Sequence, residues 1–125
     1  MTLGDFLKRE LSSAAPWNCS TLAADWCLEL GHPDFAANWR NFTNPVDCEE
    51  VQTDAGSLLA LWECGIDDGL PVVEGEPRTG DIAVIRVAGL EAGAIFSGER
   101  WVLKAQRGLH FLAPDVVEVV KAWRP

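Results

Sequence analysis

Cys19 is the residue of this chain best placed to do covalent chemistry. The stretch around it reads Trp17-Asn18-Cys19-Ser20-Thr21-Leu22-Ala23-Ala24-Asp25-Trp26, and Pro16 closes the segment before it. From Cys19 onward Leu22, Ala23, Trp26, Cys27 and Leu30 recur at helical spacing, which predicts a helix starting near Cys19. A thiol in the first turn of a helix lies beside unpaired backbone N–H groups and the positive end of the dipole. Both favour the thiolate, which is the nucleophilic form. A working nucleophile also needs a base within hydrogen-bond reach, to take the thiol proton and later to protonate a leaving amine. The only imidazoles are His32 and His110. His32 closes the helix that Cys19 opens, on the order of 15–20 Å away at 1.5 Å per residue. His110 falls on a late strand. The competing reading makes Cys19 a small, partly buried residue at a helix start.

The elements that would carry these residues follow from patterning. Thr2-Leu3-Gly4-Asp5 resembles a capping box with Asp in place of Glu, and Leu3, Phe6, Leu7 and Leu11 line one face of the helix behind it. Gly31-His32-Pro33 stops the second helix. Pro33 opens a short third helix with Phe35, Ala36 and Trp39 as its apolar face. Residues 46–53 and 57–64 read as two further helical stretches, the latter turning Leu58, Leu61 and Trp62 inward and ending at Gly65. From Ile66 the character changes. Residues 67–79 form a loop rich in Gly, Asp and Pro. Strands are expected at 82–87, 92–97, 101–105 and 109–112, and 118–123 reads as a last strand or a short helix. Helices first and an antiparallel meander second define an α+β fold. At 125 residues the chain fits a single domain, 1–125, with a helical half (1–65) and a sheet half (80–125). Asp25 reads as a solvated helix residue and Asp81 as a turn former.

Charge excludes some functions. The formal net charge is −9, and residues 41–77 hold nine acidic side chains and no Lys or Arg. Nucleic-acid binding needs a basic surface and is not expected. The acidic run reads either as a solvated face or as a docking face for a basic partner. Met1 to Leu11 carries no long apolar run, so neither a signal peptide nor a membrane span is expected, and synthesis is placed in the cytoplasm. Cys19, Cys27, Cys48 and Cys64 contain no Cys-x-x-Cys pair, so reduced thiols are expected, with no metal and no cofactor. Six Trp and no Tyr point to contacts at partly buried positions.

Three segments together resemble the NlpC/p60 branch of papain-like cysteine peptidases. Asn18-Cys19-Ser20-Thr21-Leu22 is similar to that family's Asp-Cys-Ser-Gly-Leu. Thr79-Gly80-Asp81 is similar to its Pro-Gly-Asp, and Ala92-Gly93-Ala94-Ile95-Phe96-Ser97-Gly98 to its His-Val-Gly-Ile-Tyr-x-Gly. The resemblance runs from about Pro16 to Leu112. It is closer to a short, divergent group carried by tailed bacteriophages and gene transfer agents, marked by Cys-Ser-Thr-Leu-Ala-Ala-Asp-Trp and a terminal Ala-Trp-Arg, here Cys19 to Trp26 and Ala122-Trp123-Arg124. It implies a papain-like fold, a Cys nucleophile, a His base on the second strand and a polar residue on the next strand that orients the His. Carried over, the nucleophile position is Cys19. The base position falls on Ala92, or on Glu91 or Gly93 if the register slips, and the orienting position falls near Lys104 or Gln106. Two of the three roles lack their usual residue. The expectation is therefore a catalytically inactive structural component of a phage-type tail tip, delivered to the virion. Its partners would be tail-tip or hub proteins, with bacterial peptidoglycan as a further candidate. The alternative is a peptidoglycan-cleaving cysteine amidase or endopeptidase with a non-standard site.

Overall fold

A computed structural model describes residues 2–11, 21–37, 58–105 and 108–125; Trp17, Cys19, Trp39, Cys48, Gln106 and the helical reading of 46–53 lie outside them. Helix α1 (Leu3–Leu11) begins where its cap predicts. The Thr2 hydroxyl accepts from the Asp5 N–H at 3.1 Å, satisfying one orphan donor of the first turn. Helix α2 (Thr21–Glu29) ends at the expected stop. There the His32 N–H reaches the Cys27 carbonyl at 2.9 Å and the Gly31 N–H the Leu28 carbonyl at 3.0 Å. The described part of the expected third helix is instead a turn at 35–37. Asp34 Oδ1 accepts from the Ala36 N–H at 3.0 Å, a local bond that competes with helical pairing. Helix α3 (Leu58–Ile66) runs through Gly65, which was expected to end it. Burial of Ile66 holds the extra residues, and the left-handed position falls on Asp67, at φ 50°.

Five antiparallel strands follow: β1 (Ile82–Val87), β2 (Leu90–Phe96), β3 (Trp101–Ala105), β4 (Gly108–Leu112) and β5 (Glu118–Trp123), in the order β4-β3-β2-β1-β5. The α+β reading and the meander are correct, and 118–123 is a strand. β2 begins two residues earlier than expected. Ala88 and Gly89 close a two-residue hairpin with φ 51° and 81°, so Val87 pairs with Leu90. Such a turn needs positive φ at both central residues, and Ala is a poor signal for it. After β4 the chain passes a 3₁₀ turn (Pro114–Val116) and returns along the far side of β1. Residues 71–73 cover part of the β5 edge, where the Val73 N–H meets the Ala122 carbonyl at 2.9 Å.

Alternation along the strands produces two apolar clusters. Ile82, Val84, Ile95, Val102 and Trp123 face the helices and pack with Phe6, Leu22, Trp26, Cys27, Leu58 and Trp62. Ala83, Ile85, Ala94, Phe96, Trp101 and Ala122 face the other way and form a second cluster with Val73, Ala92, Leu103 and Val117. Trp26, Trp62, Trp101 and Trp123 are all at most 5% exposed. This corrects the partly buried positions expected of the tryptophans, since these four are core.

One polar knot joins helix, loop and last strand. The Trp26 indole N–H donates to the Gly80 carbonyl at 3.0 Å, in a buried contact. Gly80 holds φ +94°, and the nearest atom to an added Cβ would be Trp26 Nε1 at 3.5 Å. A side chain there would be strained by conformation more than by space. Next to it Asp81 is buried. Arg124 donates from Nε to Oδ1 at 2.9 Å and from Nη2 to Oδ2 at 2.8 Å, and the Arg78 N–H adds a third bond at 2.8 Å. Asp81 is thus a turn residue, as expected, and also the acceptor of a bidentate ion pair, which was not expected. These bonds hold the Arg124 pKa above its ordinary value.

Replacing Arg124 strands a buried carboxylate, whereas replacing Arg86 breaks an exposed pair with Glu118 and a looser one with the partly exposed Glu91. Arg124→Ala is therefore expected to lower the thermal unfolding midpoint clearly more than Arg86→Ala, as read by circular dichroism.

Candidate functional site

Cys19, to which the resemblance gives the nucleophile position, lies outside the described residues. The site is therefore built from the partners that the strands and the following helix supply. On β2 the parity is decided by pairing. Val84 stands opposite Gly93 and Ile82 opposite Ile95, and Val84, Ile82 and Ile95 all face the helices. Ala92 stands opposite Ile85 and packs in the cluster on the far face. A base carried at Ala92 would point away from the helices. The helix-facing positions are Glu91 and Gly93, the two slipped-register alternatives. Glu91 already has work there. Its Oε1 accepts from the Leu58 N–H at 3.2 Å, placing a carboxylate at the start of α3 where the dipole favours it. Its Oε2 lies 3.9 Å from Arg86 Nη2.

Lys104, at the orienting position on β3, does face the helices. Its Nζ donates to Glu10 Oε2 on α1 at 3.2 Å, and the two side chains are 8% and 7% exposed. This is a buried ion pair between helix and sheet. A cation held this way orients no imidazole. Gln106, the other orienting candidate, lies outside the described residues.

The imidazoles are no closer to the role. His110 is exposed on β4 opposite Leu103, so it stands on the face away from the helices. His32 follows the C-terminus of α2, whereas Cys19 precedes its N-terminus, and it lines a small apolar pocket with Phe35, Ile66 and Leu70. Asp25, expected to be solvated, is half-buried.

The described cysteines differ sharply. Cys64 is exposed on α3. Cys27 is buried in the core, and burial, aided by the negative charge of Asp34, pushes its pKa up to about 12. It is an inert, neutral thiol. Among the described residues no group of three His, Cys, Asp or Glu side chains could hold a metal ion, and no helix is long and apolar enough to cross a membrane.

Two predictions follow from this geometry. Glu10→Gln should destabilise the fold by about 1–3 kcal/mol, read by urea denaturation, because it removes the carboxylate that Lys104 Nζ meets at 3.2 Å in the interior. The second concerns alkali. A thiol whose pKa rises from 9.0 unfolded to about 12 folded binds its proton more tightly in the native state, so its stabilisation is complete below pH 9 and is lost as pH rises toward 12. By about pH 10.5 the loss is about 2 kcal/mol, and Cys27→Ala should show a correspondingly shallower decline.

No curated protein and no solved structure matches the chain. A family model described as a domain of unknown function, DUF6950, matches residues 3–125. The match takes in the helices, the sheet and the Asp81–Arg124 knot alike, and this chain belongs to the DUF6950 family.

Proposed function

We propose that this domain is a structural or interaction component of a phage-type tail tip, built on a degenerate NlpC/p60-like scaffold, and not a working hydrolase. The observation that carries the reading is the fate of the two strand positions that would support the thiol. One, Ala92, is a packed alanine on the face away from the helices, and the other, Lys104, is locked to Glu10 in the interior. Neither can accept a proton from a cysteine on the helix side. The helix-facing neighbours of Ala92 do not replace it, since Gly93 has no side chain and Glu91 anchors α3. Without a positioned base the thiol forfeits on the order of 10²–10⁴-fold in rate.

The tail assignment rests on the resemblance of Cys19 to Trp26 and of Ala122-Trp123-Arg124 to the phage and gene-transfer-agent group. The structure adds a physical reason for that pairing of signatures. Trp26 and Arg124, the ends of the two segments, meet at Gly80 and Asp81. Both side chains serve the fold whether or not Cys19 is active.

The test is the pH dependence of Cys19 alkylation by iodoacetamide, followed by peptide mapping so that each cysteine is read separately. An unactivated thiol reacts with a midpoint near its ordinary pKa of about 8.5. A rate already at its plateau below pH 7, with release of muropeptides from purified peptidoglycan, would overturn the proposal in favour of the amidase. Assembled particles should contain the protein, and its absence from purified virions would remove the tail assignment.

A further inference from the structure

A groove of about 370 Å³ opens at the outer edge of β5, between that strand and residues 72–77. Val72 forms a single bridge with Trp123, and the Val73 N–H reaches the Ala122 carbonyl. Beyond that bond the chain turns away at Gly75, which holds φ +93°. The gap left beside Val119 to Lys121 is the groove. Trp101 lines it from β3, with β2 and β1 between, and Val73 packs against the cluster that holds Trp101 and Ala122. Val72 and Val119 line it 50% and 44% exposed, two large apolar side chains left in water. A bulge where β5 passes Val84 and Ile85 spoils this edge for regular pairing with a further strand. Side-chain fit and charge, more than a ladder of backbone bonds, therefore decide what the groove holds.

Charge selects the occupant. The lining segments 72–77 and 119–122 carry Glu74, Glu76 and Lys121. Lys121 is already answered. Its Nζ meets Glu63 Oε2 at 2.8 Å and lies over the ring of Trp123, which faces the helices. Glu118, next to Val119, is held by Arg86 at 2.9 Å. Glu99 and Arg100, just before Trp101, cancel. Arg78, Arg124 and the terminal Pro125 line a separate cleft beside Trp26. Glu74 and Glu76 remain, both exposed and neither paired with a described residue. They flank Gly75 at the lip of the groove and leave it negative, on a chain whose formal charge is −9. Nucleic acid, anionic lipid and a second copy of this chain are all disfavoured there. A cationic segment that carries an aliphatic side chain matches both the lip and the apolar lining.

We propose that this groove holds one aliphatic side chain from a basic segment of a partner protein, with neighbouring Lys or Arg residues of that segment answering Glu74 and Glu76. The inference rests on reading the chain as an interaction module. Its test is binding and the test of that reading is thiol reactivity, so the two can fail separately.

The experiment is a titration of the full ¹⁵N-labelled chain, followed at the Gly75 and Val119 amides and the Trp101 indole N–H. The probes are acetyl-Gly-Lys-Val-Lys-Gly-amide, its analogue with both Lys replaced by Glu, and its analogue with Val replaced by Gly. The Lys-Val-Lys peptide should shift all three signals saturably, and each analogue should bind at least about threefold more weakly. Glu74→Gln/Glu76→Gln should weaken the Lys-Val-Lys peptide by at least about threefold. Both side chains are exposed, so the circular dichroism of the variant should match the parent. Four results would each overturn the proposal. They are no saturable shift up to about 10 mM, an equal response to either analogue, unchanged affinity in the folded double variant, and the same shifts on concentrating the chain alone, which would give the groove to a second copy.

Discussion

The buried carboxylate of Asp81 is the constraint on which the arrangement of this domain turns. It stands at the entry to β1, an interior strand bonded on one side to β2 and on the other to β5. A carboxylate that is 1% exposed is tolerated only with its lone pairs filled, and the filling comes from residues 43 positions apart in the chain. Arg124 can deliver its fork only if β5 has already returned along β1. The same turn places the Gly80 carbonyl under the Trp26 indole, so the helical half is tied to that point as well. Formation of the knot therefore requires helix, loop and last strand together, and this makes it a test of the complete fold.

That fold then decides which way the strand positions singled out by the resemblance can face. Strand parity is a binary choice, and one residue of slip moves every side chain to the opposite face. Pairing of Val84 with Gly93 puts Ala92 outside and Gly93 inside. The inward positions left over are then used structurally: Glu91 receives the first N–H of α3, and Lys104 neutralises Glu10. Residues of the kinds that serve catalysis elsewhere are here consumed in joining helices to the sheet.

Much of this was legible in the chain. The cap at Thr2, the stop at Gly31, the inward set Leu58, Leu61 and Trp62, and the span of β1 all depend on neighbours within a few residues. They appear where local chemistry places them. Failures occurred where a distant contact outweighed the local signal. Helix α3 passes Gly65 because Ile66 has a core to enter. The hairpin at Ala88-Gly89 forms because strands on either side are paired, although Ala is unsuited to positive φ. Trp26, Trp62, Trp101 and Trp123 are core because two apolar sheet faces both need large side chains, which composition alone does not reveal.

The sequence by itself determined the order of elements, the α+β class, the absence of a histidine at the base position and the acidic balance. Each is a property of residue types and short spacings. Only the tertiary structure decided which face Ala92 takes, that Lys104 belongs to Glu10, and that Asp81 belongs to Arg124. The physical reason is range. Helix caps and turns are settled by bonds within about one turn of chain, whereas ion pairs across a sheet depend on register, and register is set by the burial of whole faces.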